Sequence, residues 1–118
     1  MITKGDLKSW LNESGRKKYE EKLEKFIDEQ IKKNALEGKT TFLIPTGRWG
    51  NQHSERTPFY DIWFTEELTK ENREIVHQRV IRKYKDFGFD VETTQVDCGW
   101  NNWYFALRFK DIDKVLEY

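Results

Sequence analysis

Two stretches of this chain share one grammar: helical periodicity, a glycine that ends it, then an apolar run of β type. Arg16–Glu37 spaces Tyr19, Leu23, Phe26, Ile27, Gln30, Ile31 and Asn34 three or four residues apart, which draws one stripe along a helix with a polar end. Gly38 stands where a left-handed residue closes such a helix, and Thr40–Pro45 (TTFLIP) reads as a strand. Thr69–Asp86 repeats the scheme with Val76, Val80, Tyr84 and Phe87 as the stripe, then Gly88, then the strand Phe89–Cys98. Two aromatic runs supply further strands: Phe59–Phe64 (FYDIWF) and Trp103–Phe109 (WYFALRF). The order helix, strand, strand, helix, strand, strand predicts an α+β fold: a two-layer sandwich of a four-stranded antiparallel sheet with two main helices on one face. A short N-terminal helix, Thr3–Asn12, is expected before them, capped by Thr3, with Leu7, Trp10 and Leu11 on one side. Ser14-Gly15 is expected to interrupt or bend it, and Asp111–Tyr118 to form a last helical turn.

At 118 residues the chain is expected to form a single domain, residues 1–118, with its own core. Five Trp, five Tyr and eight Phe let few residues fill that core. Basic and acidic side chains balance at 21 each, so no overall field attracts nucleic acid or an anionic membrane. The first fifteen residues hold no apolar run of the length a secretion signal or membrane span needs, so a cytoplasmic location is expected. The one cysteine, Cys98, permits no internal disulfide. His53, His77 and Cys98 lack zinc-ligand spacing, no glycine-rich phosphate loop or serine elbow occurs, and neither a metal nor a cofactor is expected.

The connection Thr46–Pro58 (TGRWGNQHSERTP) is longer than the two to five residues usual in hairpins. It concentrates Arg48, Trp49, Asn51, Gln52, His53 and Arg56, groups that stack, donate hydrogen bonds and hold anions. A second turn, with Trp100, Asn101 and Asn102, joins it in one site if both connections leave the same end of the sheet. Alternation in the aromatic strands sends Tyr60, Ile62, Phe64, Trp103, Phe105, Leu107 and Phe109 towards the helices. Phe59, Asp61, Trp63, Tyr104, Ala106 and Arg108 then form an outer face. That face reads as a homodimer interface or a surface covered by the N-terminal segment through Trp10, ahead of a stacking platform. Trp49 reads either as a ligand-stacking ring or as a plug at the core edge. His77 reads as a partly buried structural histidine.

The Lys/Glu-rich first helix, the junction Lys85-Asp86-Phe87-Gly88-Phe89-Asp90-Val91 and the closing hairpin strand WYFALRF resemble small orphan proteins of bacteriophages that infect Gram-positive hosts. The resemblance implies a binding role towards a host component or a small molecule. The resulting expectation is a non-enzymatic, self-associating binding protein that engages a host protein or a small nucleotide-type ligand through Arg48, Trp49, Asn51, His53, Arg56, Asp61, Trp63, Trp100, Asn101, Tyr104 and Arg108. The alternatives are a single-stranded nucleic-acid module using Tyr104, Trp63 and Arg108, and a small hydrolase using His53.

Overall fold

The computed structural model describes residues 1–46, 58–99 and 102–117. Its elements are α1 (Lys4–Leu36), β1 (Phe42–Pro45), α2 (Pro58–Trp63), α3 (Lys70–Phe87), β2 (Asp90–Gly99) and β3 (Asn102–Lys110), followed by a 3-10 segment, Ile112–Glu117. The fold is α+β, and its sheet is antiparallel.

Helix α1 begins as expected. Thr3 accepts from the Asp6 amide, and the Asp6 carboxylate accepts from the Thr3 amide in return. It does not break at Ser14-Gly15 but runs unbroken through all 33 residues. Gly15 has a packing reason instead: a Cβ there would stand 3.2 Å from Leu68 Cδ2, so glycine lets the α2–α3 connection approach the helix. Gly88 closes α3 in the left-handed region at φ 119°, as the sequence predicts.

The sheet departs from expectation. Among the described residues it has three strands in the order β1-β3-β2, both pairings antiparallel. Phe59–Phe64 is not a strand; its first five residues belong to α2. The alternation Tyr60, Ile62, Phe64 looked like period two, and the aromatic content favoured a strand. The buried residues are instead Phe59 and Trp63, one helical turn apart. Pro58 at the first helical position carried the missed signal, since its fixed φ and absent N–H suit that site.

The core fills the space between the helices and one face of the sheet. Phe42 and Ile44 of β1, Leu107 and Phe109 of β3, and Val91 of β2 meet Tyr19, Leu23, Ile27, Val76, Val80, Tyr84, Phe59 and Trp63. Phe59 stacks on Phe26 with ring centroids 4.6 Å apart, and Phe42 on Phe109 at 5.3 Å. Phe87, expected on the buried stripe of α3, is exposed. Trp103 and Phe105, expected in the core, are 38% and 44% exposed, because they lie on β3 beyond the helical cover of Leu107 and Phe109.

α1 contains two apolar stripes. At about 100° per residue, Leu7, Trp10 and Leu11 centre roughly 160° away from Tyr19, Leu23 and Ile27. The second stripe is buried and the first is exposed, as is every residue from Met1 to Ser14. Trp10 therefore does not cover the outer sheet face.

Candidate binding surface

The site expected from sequence splits three ways. Trp63 and Asp61 leave the sheet face altogether. Trp63 is 6% exposed, and its ring stacks on His77 with centroids 3.7 Å apart and planes within 8°. Asp61 sits on α2, exposed, at the rim of a cleft with Lys18 and Lys22. Tyr104 and Arg108 do lie on the outer face of β3. Arg48, Trp49, Asn51, His53, Arg56, Trp100 and Asn101 lie outside the described residues.

The buried polar cluster around Trp63 explains why α2 is helical and where it docks. The Tyr19 hydroxyl donates to the Trp63 carbonyl at 2.6 Å and lies 2.7 Å from His77 Nε2. His77 Nε2 is also 2.9 Å from that carbonyl. One proton assignment satisfies the cluster: the Tyr19 O–H donates to the carbonyl, and His77 Nε2–H donates to the Tyr19 oxygen. Burial holds the imidazole neutral, pushing its pKa from 6.5 down to about 4, with a smaller opposing effect from the Trp63 carbonyl. Burial likewise raises the Tyr19 phenol well above its ordinary value. Arg73 Nη1 donates to the Thr65 and Leu68 carbonyls at 2.8 and 2.9 Å and closes the α2–α3 connection. His77 is thus the structural histidine that the sequence predicts. The same cluster ties Trp63 to the core, which rules out a stacking role for its ring.

A second polar knot joins α1 and α3. The Tyr84 hydroxyl donates to Asp28 Oδ1 at 2.6 Å, and burial together with that bond raises the phenol pKa. Lys83 reaches Glu24 at 2.7 Å and Glu20 at 2.9 Å. The late basic residues of α3 therefore include one engaged within the molecule rather than waiting for an anion.

An exposed aromatic surface lies at one end of the sheet. Trp103 and Phe105 form an edge-to-face pair, with centroids 5.0 Å apart and planes at 74°. β1 runs antiparallel to β3 and ends where Pro45 pairs with Ala106; the Thr46 amide then donates to the Phe105 carbonyl at 2.8 Å. The β2–β3 hairpin closes at the same end, with Gly99 opposite Asn102. Phe105 and Asn102 are three strand positions apart, about 10 Å. The last described residue before the segment 47–57 and the flanks of residues 100–101 therefore share one sheet end. That is the condition for joining the two connections in a single site, and sequence alone left it open. On the outer face, Ala106 is fully buried between Pro45 and Thr94 in the register, a methyl walled in by longer neighbours. Leu43 and Tyr104 flank it, and Arg108 pairs with Glu92 across the strands.

The signal for Trp103 and Phe105 was present in the sequence but misassigned. Alternation placed them correctly on the helix side; the length of helix available to cover β3 decided their exposure. Among the described residues no group of His, Cys, Asp and Glu suits a metal ion, and no helix is long and apolar enough to cross a membrane. No family model, no curated protein and no solved structure matches this chain. What the fold and surface define is an α+β protein with an aromatic sheet end.

Proposed function

We propose that this chain is a non-enzymatic binding protein whose working surface is the sheet end bearing Trp103 and Phe105. The observation that supports it is this exposed ring pair beside Thr46, from which a segment containing Arg48, Trp49, Asn51, His53 and Arg56 departs. Exposed rings stack on planar ligands, and guanidinium groups nearby hold their phosphates or carboxylates. The described titratable groups with displaced pKa values, His77, Tyr19, Tyr84 and Lys83, are each engaged by partners within the molecule. The ligand class is a nucleotide-type molecule or a ring-bearing, acidic segment of a host protein. The resemblance to bacteriophage orphan proteins favours a host-side target.

The test uses ATP as the nucleotide probe and intrinsic tryptophan fluorescence as the readout. Saturable quenching is expected, with affinity falling at least tenfold in Trp103→Ala and in the Arg48→Ala/Trp49→Ala double variant while the urea midpoint stays unchanged. Equal affinity in all three proteins sinks the assignment. Tight binding of oligo-dT that weakens steeply with salt would favour the nucleic-acid alternative.

A further inference from the structure

The two apolar surfaces of α1's outer side fit each other across two copies of the chain. One is the Leu7–Trp10–Leu11 stripe, exposed on a helical stretch whose phase turns it away from the molecule's own core. The other is a cleft of about 440 Å³ between α1 and α3, lined by Ile31, Phe87 and Phe89 and edged by Glu24, Asp28, Lys32 and Lys83. Phe87 is 69% exposed there. From these we infer that the protein forms a two-fold dimer in which α1 pairs antiparallel with α1 of a second copy, each stripe entering the other's cleft. This does not rest on the ligand-binding reading above.

Three observations choose a second copy as the occupant. First, stripe and cleft lie on one seven-residue seam of α1. Leu7, Ser14, Glu21, Asp28 and Ala35 mark one seam position, and Trp10, Lys17, Glu24 and Ile31 the other. Ser14, Lys17 and Glu21 are exposed, so none of the described elements covers the middle of that seam. A two-fold axis near residue 19 then sets Leu7 over Ile31 and Lys17 over Glu21 of the second copy. Second, the helix is charged for such pairing. Residues 1–18 carry five basic and two acidic side chains, and residues 20–37, which the axis lays over them, carry six acidic and four basic. Antiparallel overlay puts the basic half of each helix on the acidic half of the other, and Lys83 offsets only one of the two carboxylates it bridges. Third, the symmetry supplies area. One contact of three side chains supports only a weak pair, whereas the two-fold forms that contact twice with the polar seam between, towards the roughly 1,200 Å² at the low end of stable interfaces.

Sedimentation velocity on the full chain tests the pairing. The wild type is expected to shift from monomer to dimer as concentration rises, with a dissociation constant several-fold weaker in 500 mM than in 50 mM NaCl. A stripe variant, Leu7→Glu/Trp10→Glu, and a cleft variant, Phe87→Glu, are each expected to be monomeric with unchanged circular dichroism, since all three residues are exposed. Mixing them is expected to restore a pair weaker than the wild-type dimer, because one intact stripe then meets one intact cleft. A wild type that stays monomeric overturns the inference. So does a cleft variant that dimerises normally, which would mean stripe-on-stripe pairing, and so does a mixture that stays monomeric.

Discussion

The two ends of α1 obey the same helical rule and meet different fates. Tyr19, Leu23 and Ile27 are buried to within a few per cent; Leu7, Trp10 and Leu11 remain more than half exposed. Both triads have apolar side chains one turn apart, and either alone would read as a core stripe. What separates them is phase and neighbours. The second triad faces α2, α3 and β1; the first points the opposite way, along a part of the helix that begins to meet the body only where Gly15 receives Leu68 and Arg16 reaches Asn72. Periodicity announces an apolar face, and the rest of the fold decides whether that face is core or interface.

The contrast predicts unequal costs for similar truncations, each read by urea unfolding. The largest belongs to Leu23→Ala, where a fully buried side chain leaves a cavity; about 3–4 kcal/mol is expected, and a loss below about 1 kcal/mol would erase the distinction between the two halves. Next comes the acid response of the buried end. His77 titrates near 4 when folded and near 6.5 when unfolded, so between those values the unfolded chain binds the extra proton. Its contribution is complete above pH 6.5 and is lost as pH falls towards 4. Partial exposure trims the loss to about 2 kcal/mol. The difference between wild type and His77→Gln should therefore change with pH only in that window; a pH-independent difference would place the imidazole in water. Smaller again, Tyr84→Phe removes the hydroxyl that bonds Asp28 and the Glu24 carbonyl, at about 1 kcal/mol. The smallest effect is Trp10→Ala, within about 0.5 kcal/mol at concentrations where the chain is monomeric. A loss of 2 kcal/mol there would mean that the first half of α1 packs on its own molecule.

The same division runs through what could be read from the chain. The Thr3 cap, the closing glycines Gly38 and Gly88, both long helices, β1 and the final hairpin are local events. Each rests on backbone chemistry or on one buried face that neighbouring residues announce. FYDIWF failed because a six-residue aromatic run satisfies two periods at once. Its assignment depended on Tyr19, His77 and Arg73, which are far away or later in the chain and hold Trp63 and the α2–α3 connection by specific hydrogen bonds. With that segment helical, the proposed stacking face lost Phe59, Asp61 and Trp63 and kept Tyr104 and Arg108. The rings that stand exposed on β3, Trp103 and Phe105, keep the side that alternation assigns and lose the burial it suggests.

Sequence alone therefore determined the element types wherever capping, glycine conformation and a long repeat agreed, and alternation set which side of β3 each residue takes. Tertiary structure decided the order of the strands, the helical state of Pro58–Trp63 and how far the helices reach along β3. Side-chain direction follows from the backbone within a few residues. Burial is a property of what arrives from elsewhere in the chain, and only packing determines that.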